Sequence, residues 1–381
     1  MAVVRAVTPA GAAGDPAGLE VVALNCGSSS VKGARYRVDK AGEHRLADTA
    51  AENISSVDRI GEAAARIYVG LAAGAPPDAV GHRFVHGGPT LRASTIVDDG
   101  VLAELRDAVP FAPLHLPGSL AAVEAIRARE PRLPQVVCFD TTFHVSLPES
   151  QWRLPLPRAL ADEGIRRYGF HGLSYEYVVQ AIGASTLGRG VIAHLGNGAS
   201  LCAVSDGRSV ATSMGFTPTG GIPMGTRAGD LDPGVLIHLV REGGYDVGRL
   251  ERLVDLEAGL LALGGTSDMR ELLDRRDRGD RNAAFAVDVF CERVAMTVGA
   301  YATCLGSLDT IVFTAGIGER SPAVRAEVCG RLAHLGVRID DDRNEQSAGV
   351  ISDRGSVVTV RVVPTDEDAM IARHTYALMR G

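Results

Sequence analysis

The sequence predicts an α/β protein with two similar halves, and three observations support this fold class. Apolar runs flank the turn at 25–29, which is typical of a β-hairpin with a small-residue tip. A related unit follows roughly 170 residues later, with apolar runs 191–195 and 201–204 around the glycine-rich turn 196–200. Strand patterns then alternate with helix patterns along the chain, as they do in α/β proteins. The two hairpins therefore indicate internal duplication.

Between the hairpins, 136–139 is predicted as a short buried strand that ends in Asp140, and 120–127 as a helix. In the second half, apolar residues recur at steps of three and four, which predicts a long amphipathic helix with a buried stripe: Val287, Cys291, Val294, Val298, Tyr301 and Leu305.

The end of the second half is predicted to run from strand to turn to helix. Residues 310–315 are rich in β-branched side chains, and the glycines of 316–318 predict a tight turn. Ser321 followed by Pro322 is typical of a helix N-cap and first position. This order of elements favours nucleotide binding.

Composition excludes several classes of function. The 381 residues carry a net charge of −7 without a basic cluster, which argues against nucleic-acid or anionic-membrane partners. The longest uncharged helical stretch, 294–308, is shorter than the ~18 residues that a membrane span needs, so no transmembrane helix is expected. Six scattered cysteines without CxxC predict neither a zinc site nor a disulfide framework, and favour the cytoplasm. Residues 1–18 are expected to form a disordered tail.

The hairpin tips are candidate phosphate sites. Backbone N–H groups at glycine and serine turns can surround an anion without obstruction by side chains. In the first tip, Asn25, Ser28 and Ser30 add neutral donors, and Lys32 adds a flexible cation. A Walker-type G-x-x-x-x-G-K-[ST] loop does not occur in the sequence.

Ten strings in fixed order resemble the acetate kinase family, and the resemblance runs from about Val21 to the C-terminus. They are LNCGSSSVKG (24–33), GHRFVHGG (81–88), FAPLH (111–115), FDTTFH (139–144), YGFHG (168–172), HLGNGAS (194–200), MGFTPTGG (214–221), MGTRAGDLDP (224–233), FTAGIGE (313–319) and PTDED (364–368).

The resemblance implies an actin-like ATPase fold of two duplicated ribonuclease-H-like domains, with the active site in the cleft between them. The first domain would comprise 19–145 plus a returning helix at 367–381, and the second, nucleotide-binding domain would comprise 146–366. The implied reaction is reversible, direct in-line transfer of a phosphoryl group from ATP to acetate, giving ADP and acetyl phosphate. Mg²⁺ would be required, Mn²⁺ would substitute for it, and a homodimer is the expected assembly.

The same resemblance assigns residue roles. Positions matching the family's catalytic residues are Arg83, His115, Asp140, His171 and Arg227, and those matching its magnesium-associated residues are Asn25 and Glu367. The acyl pocket is implied at Val85, Leu114, Phe170 and Pro218. The implied ATP contacts are Lys32, His194, Leu195, Gly196, Asn197, Gly198, Asp268, Met269, Arg270, Gly316, Ile317, Gly318, Glu319 and Arg320.

Residue chemistry agrees with these roles. Two guanidinium groups suit a carboxylate and a transferring phosphoryl group, and acetate needs no base because it is already ionised at neutral pH. Asp140 is therefore expected to orient an arginine or Mg²⁺. The sequence departs from the family pattern at Pro89, Leu116, Arg320 and Asp366.

Three alternatives stay open. A propionate or butyrate kinase on the same scaffold would differ only in the acyl pocket, where one methylene is worth roughly 1 to 3 kcal/mol. A non-catalytic ATP-driven switch would have no use for an acyl pocket. A sugar kinase would need polar side chains where Val85, Leu114 and Phe170 stand.

Overall fold

The computed structural model describes residues 5–6, 18–27, 30–54 and 56–381. The chain divides into two compact units. The first contains Met1–Val145, His171–Tyr177 and Asp366–Gly381, and the second contains Ser146–Phe170 and Val178–Thr365. Relative to the predicted domains, this division groups 171–177 and residue 366 with the first unit.

The first unit contains a seven-stranded sheet with the order β1-β4-β3-β2-β5-β7-β6. Strands β2, β3 and β4 are antiparallel neighbours, whereas β2, β5 and β7 run parallel. The strands are β1 (Arg5–Ala6), β2 (Leu19–Cys26), β3 (Val31–Asp39), β4 (Gly42–Ala51), β5 (Ala79–Phe84), β6 (Thr95–Ile96) and β7 (Gln135–Phe139).

The second unit repeats the central topology. Its five-stranded sheet has the order β10-β9-β8-β11-β12, again with three antiparallel strands followed by parallel ones. The strands are β8 (Gly190–Leu195), β9 (Ala199–Ser205), β10 (Arg208–Thr212), β11 (Thr310–Thr314) and β12 (Thr359–Val362). In both sheets, the first strand of the meander is the one that pairs with the parallel half. The predicted α/β fold and its internal duplication are confirmed.

Helices cover both sheets. In chain order they are α1 (Val57–Leu71), α2 (Asp99–Asp107), α3 (Leu116–Arg129), α4 (Glu149–Trp152), α5 (Arg158–Asp162), α6 (Gly172–Ile182), α7 (Ala184–Leu187), α8 (Pro233–Arg241), α9 (Val247–Leu256), α10 (Gly259–Gly264), α11 (Met269–Asp277), α12 (Arg281–Leu305), α13 (Ala315–Arg320), α14 (Pro322–Arg331), α15 (Asp341–Glu345) and α16 (Glu367–Arg380). Short 3₁₀ turns lie at Val109–Phe111, Thr142–Ser146 and Ala333–Leu335.

The core of the first unit lies on both faces of its sheet, because successive strand residues point to opposite sides. Val22 and Leu24 pack with α1, whereas Val21 and Ala23 pack with α16. At Gly81 on β5, an added Cβ would lie 2.3 Å from the Thr375 hydroxyl oxygen of α16. Close packing at this glycine holds α16 against the parallel strands, and with it the helix start that carries Glu367.

The long helix α12 supports the second sheet. Its predicted stripe is confirmed, since all six residues are buried and the helix packs against β8 and β9. Asp280 caps its N-terminus by accepting hydrogen bonds from the backbone N–H groups of Asn282 and Ala283, and Gly306 ends it in the left-handed conformation with φ 73°.

The structure differs from expectation near residue 316 and at the start of the chain. The prediction of a tight turn at 316–318 is wrong, because these residues lie within the six-residue helix α13. The start of α13 is held by a hydrogen bond from the backbone N–H of Ala315 to the Glu319 carboxylate at 2.8 Å. In the segment expected as a disordered tail, Arg5–Ala6 pair with β4. The rest of that segment, apart from residue 18, lies outside the described residues, as does Ser28 of the first hairpin tip.

Candidate active site

A cluster of polar and charged side chains lies at the carboxyl ends of the parallel strands of the first sheet. Asn25 and Arg83 lie opposite each other on β2 and β5, and Asp140 directly follows β7. The Arg83 guanidinium donates from Nε to Asp140 Oδ1 at 2.9 Å and from Nη2 to Oδ2 at 2.5 Å. Its Nη1 donates to Asn25 Oδ1 at 3.0 Å. All three side chains thus lie at the carboxyl edge, where ligands of open α/β sheets commonly bind.

A second carboxylate joins this group from the start of α16. Glu367 Oε2 accepts from Asn25 Nδ2 at 3.4 Å and lies 3.8 Å from Arg83 Nε. The structure therefore brings together Asn25, Arg83, Asp140 and Glu367, which are separated by up to 342 residues along the chain. Arg83 is the cation at the centre of this cluster.

The electrostatics of the cluster follow from its burial. Asp140 is only 1% exposed, so burial raises its pKa above the usual range of an aspartate, although Arg83 opposes the shift. Burial lowers the pKa of Arg83, but the charges of Asp140 and Glu367 outweigh this effect and raise it. Arg83 is therefore a permanent cation whose guanidinium orientation is fixed by two oxygens of one carboxylate.

His171 immediately precedes Gly172, whose backbone contacts that of Asp140. It has a positive φ of 58°, which strains a non-glycine residue, and it is 9% exposed. The next residue explains how this conformation is held: the Gly172 N–H donates to the Asp140 carbonyl at 2.8 Å, and a Cβ at Gly172 would lie 2.2 Å from that oxygen. His115 is half-buried at the N-cap of α3 in the same unit.

The predicted acyl-pocket residues fall in both units. Val85 follows β5 in the first unit and is buried at 6% exposure, whereas Leu114 is 48% exposed. Phe170 is buried at the end of a segment of the second unit, and Pro218 lies in the loop after β10. The predicted catalytic Arg227 is also in the second unit, where its Nη1 donates to the Pro218 carbonyl at 3.2 Å.

The second unit contains a cavity of about 660 Å³, lined by the turn after β8, the starts of α11 and α14, and helix α13. Eight of the fourteen predicted ATP contacts line it: Gly196, Asn197, Asp268, Met269, Arg270, Gly316, Ile317 and Arg320. Five further residues line it that the motifs did not assign to ATP, namely Ser267, Leu273, Ser321, Pro322 and Ala323. The signal for two of them was present, because Ser321 and Pro322 mark a helix start.

Several predicted ATP contacts lie outside this lining. Lys32 is exposed on β3 in the first unit, and His194 and Leu195 are buried in β8. Gly198 and Gly318 are not among the lining residues either. Glu319 has a structural task, since its carboxylate accepts from the N–H groups of Ala315 and Thr365 at 2.8 and 3.1 Å.

The walls of the cavity combine apolar surface with polar groups at its rim. Met269, Leu273 and Ile317 supply the apolar surface that an aromatic base needs. Asp268 caps α11 by accepting from the Arg270 N–H at 2.9 Å, and the side-chain hydrogen bond from Arg270 lowers the pKa of Asp268 to about 2. Asp268 is therefore ionised at neutral pH. The volume and lining suit a ligand of nucleotide size.

The two sheets share their central topology but end differently. The first ends in a buried arginine–carboxylate cluster, and the second ends beside a cavity of nucleotide size. These features are typical of a duplicated α/β protein that binds an anionic substrate and a nucleotide. The particular family follows from comparison with known proteins. The family model of the Acetokinase family matches residues 72–373, and the chain belongs to this family.

Curated relatives and solved structures agree. The chain is 41% identical to the acetate kinase of Streptomyces avermitilis over 403 aligned positions, covering 94% of this chain and 97% of that protein. It resembles the crystal structure of Porphyromonas gingivalis acetate kinase at 35% identity and TM-score 0.81, covering 95% of this chain and all of that one. A propionate kinase from Francisella tularensis is similar at 33% identity and TM-score 0.83, over 93% and 98% of the two chains.

Proposed function

We propose that the protein catalyses reversible transfer of the γ-phosphoryl group of ATP to acetate, giving acetyl phosphate and ADP. The observation that carries this proposal is the buried cluster of Arg83, Asp140, Asn25 and Glu367 at the carboxyl edge of the first sheet, in a chain of the Acetokinase family. The protein is thus a phosphotransferase with a carboxyl group as acceptor.

Charge neutralisation is the main task of the site. Acetate and the γ-phosphoryl group are both anionic, so direct in-line attack requires cations that hold them together. Arg83 and Arg227 supply these cations, and each charge-assisted hydrogen bond contributes about 1.5 to 3 kcal/mol. His171 is proposed to stabilise the transferring phosphoryl group, and His115 to assist at the same centre. Exclusion of water then prevents wasteful hydrolysis of ATP.

Asp140 acts by positioning Arg83. Acetate is already ionised at neutral pH, so no proton has to be removed from the nucleophile. Both Asp140 oxygens accept hydrogen bonds from the guanidinium, which fixes its plane and the direction of its remaining N–H bonds. This geometry supports an orienting role over general-base catalysis.

Mg²⁺ would be held by Asn25 and Glu367. Glu367 offers a carboxylate, the kind of ligand that Mg²⁺ prefers, and the Asn25 amide lies beside it, with Nδ2 donating to Glu367 Oε2 at 3.4 Å and Oδ1 accepting from Arg83. Mg²⁺ in kinase sites uses one or two protein ligands with waters and phosphates, so this pair suffices if the Asn25 amide turns its oxygen to the ion. When bound, the ion would neutralise charge on the phosphate oxygens. Mn²⁺ prefers similar oxygen ligands and is expected to substitute.

The cavity of the second unit is proposed to take the nucleotide. Its apolar wall suits the adenine ring, and the starts of α11 and α14, which contribute to its lining, suit phosphates. Lys32, His194, Leu195, Gly198, Gly318 and Glu319 remain proposed ATP contacts on the strength of the family motifs alone.

Propionate kinase activity is the second candidate. The similar crystal structure from Francisella tularensis is that of a propionate kinase, so the same fold also occurs in an enzyme of that name. The buried Val85 side chain narrows the proposed acyl pocket and favours acetate. One methylene changes binding by only about 1 to 3 kcal/mol, so appreciable activity with propionate is expected.

A hydroxamate assay for acyl phosphate tests the function. The protein is incubated with ATP, Mg²⁺ and, in parallel, acetate, propionate or butyrate, and the three rates are compared. We expect the fastest formation with acetate, then propionate. ATP binding without acyl phosphate from any of the three acids would overturn the proposed activity and favour an ATP-driven switch.

We also infer a homodimer formed through α8 and α9. These two helices bury none of their residues within the chain and expose a set of large apolar side chains: Val235, Ile237, Val240, Val247 and Leu256. Exposed large apolar side chains gathered on two consecutive helices are typical of a protein interface, and identical surfaces pair in a two-fold dimer. A second copy of this chain, which exposes the same apolar side chains, is therefore the expected partner of this surface.

Ile237→Arg tests the dimer, with Val357→Arg as its control because Val357 is 79% exposed and lies far along the chain from α8 and α9. Light scattering after size exclusion should give a monomer for Ile237→Arg and a dimer for the control. A dimer in both variants would contradict this interface.

A cytoplasmic location is proposed as well. Its support is the set of six free cysteines, five of them buried, together with the use of ATP as substrate. In the part of the chain that the structure describes, no helix has the length and apolar character needed to cross a membrane.

A further inference from the structure

Arg167 holds a stretch of backbone in the second unit. Its Nη1 donates to three successive carbonyl oxygens, those of Thr212, Ser213 and Met214, at 3.0, 3.1 and 3.0 Å. Its Nε donates to the Gln151 carbonyl at 3.2 Å. A cation that contacts three consecutive carbonyls fixes the direction of the chain that carries them.

The same stretch is fixed on its other side by β9. The Ser213 N–H donates to the Leu201 carbonyl at 3.0 Å, and the Leu201 N–H donates to the Ser213 hydroxyl at 2.9 Å. The Thr212 hydroxyl donates to the same Leu201 carbonyl at 3.3 Å. Residues 212–214 therefore lie between a rigid strand and the Arg167 side chain, so their position depends on both.

This stretch leads directly to two groups of the proposed acid site. Pro218 follows Met214 by four residues, and its carbonyl accepts from Arg227 Nη1 at 3.2 Å. On the other side, Phe170 follows Arg167 by three residues, and the intervening Tyr168 N–H donates to the Gly215 carbonyl at 3.0 Å. Arg167 thus ties together the two backbone segments that carry Phe170 and Pro218.

We propose that Arg167 is a positioning residue for the carboxylic acid, acting through the backbone of 212–218. The inference rests on the proposed function, because it assigns Pro218 and Arg227 to acid binding. Arg167 contacts protein carbonyls and is not a catalytic residue. Its loss should displace Pro218 and Arg227 and weaken binding of the acid, while the nucleotide cavity, lined by other segments, keeps its affinity.

Steady-state kinetics of Arg167→Met and Arg167→Lys test this role. Met removes every donor, so the KM for acetate should rise about tenfold while the KM for ATP stays within about twofold, consistent with loss of a charge-assisted contact. Lys keeps the charge but loses the Nε contact, so its KM for acetate should rise about threefold. Arg153→Met is the matched control, since the Arg153 side chain forms an exposed ion pair with Glu149, and the kinetics of this variant should equal those of wild type.

The possible outcomes distinguish failure of the positioning role of Arg167 from failure of the proposed function. A folded Arg167→Met protein with wild-type KM for acetate, or with equal rises in both KM values, would overturn the positioning role. If Arg167→Met does not fold, Arg167→Lys decides: a selective rise in the KM for acetate supports the role, and wild-type kinetics overturn it. A wild-type protein that forms no acyl phosphate with any acid would overturn the proposed function and this inference with it.

Discussion

The two sheets share one topology but carry different chemistry at the same edge. In the first unit, β2, β5 and the residue after β7 present Asn25, Arg83 and Asp140. In the second, the corresponding β8 and β11 end in the glycine-containing segments 196–198 and 315–318. Polar and charged side chains thus occupy one edge, whereas a cavity of nucleotide size lies at the other. The comparison supports the proposal that the first edge serves catalysis and the second binds the nucleotide.

The largest expected effect comes from removing the cation of the first edge. Arg83→Ala should lower kcat for acetyl phosphate formation by about 1000-fold, because it removes charge neutralisation and leaves Asp140 buried without its partner. Lysine restores the charge without the bidentate geometry, so Arg83→Lys should recover only part of this loss. Hydroxamate assays at saturating ATP measure both variants. A loss of less than tenfold in Arg83→Ala would contradict a central role for this residue.

A smaller effect is expected when the orienting carboxylate loses its charge. Asp140→Asn should lower kcat about 100-fold, because one oxygen still accepts from Arg83 but the charge that fixes the pair is lost.

The pH dependence tests the same carboxylate. The proposed orienting role requires ionised Asp140, and burial raises its pKa, so activity should fall on acidification at a higher pH than the ~3.9 of an ordinary aspartate would give. The acid limb of kcat/KM against pH should move or vanish in Asp140→Asn. An identical acid limb in the variant would show that another group titrates.

The second edge can be tested by filling its cavity. An added Cβ at Gly316 meets no atom within 4 Å, so Gly316→Leu should place its side chain in the cavity without disturbing the fold. The KM for ATP should rise about tenfold or more, with the KM for acetate little changed. Gly330→Leu is the control, because Gly330 also has open space but lies on α14 outside the cavity lining. Equal KM values for ATP in the two variants would contradict the nucleotide assignment.

The smallest effect concerns the choice of acid. Val85→Ala removes two methyl carbons from a buried position next to the first edge, so the ratio of kcat/KM for acetate to that for propionate should fall several-fold. Parallel hydroxamate assays with the two acids measure this ratio. A ratio equal to that of wild type would remove Val85 from the acyl pocket.

Local patterns predicted much of the fold. The hairpins, the strand before Asp140, the α12 stripe and the Ser321 cap follow from periodicity and capping residues, which act within a few positions of the chain. The short helix α13 was not predicted, because its start depends on Glu319, whose carboxylate also accepts a hydrogen bond from Thr365, 46 residues away. The glycines of this segment are equally compatible with a short helix and with a tight turn.

The sequence predicted which residues form the cluster of the first edge, but not the hydrogen bonds between them. Ordered motifs resembling the acetate kinase family selected Arg83, Asp140, Asn25 and Glu367. Their mutual hydrogen bonds depend on strand register and on the docking of α16, which no local pattern specifies. Arg167 was missed for the same reason, since its three carbonyl partners lie 45 to 47 residues further along the chain.

The central claim is that the first edge serves catalysis and the second binds the nucleotide. The most direct test is the Kd of Mg-ADP for wild type, Arg83→Ala and Gly316→Leu, measured by isothermal titration calorimetry. We expect Arg83→Ala to bind Mg-ADP within about twofold of wild type although its kcat falls about 1000-fold, whereas Gly316→Leu should bind Mg-ADP at least about tenfold more weakly. Loss of Mg-ADP binding in Arg83→Ala, or wild-type binding in Gly316→Leu, would contradict this claim.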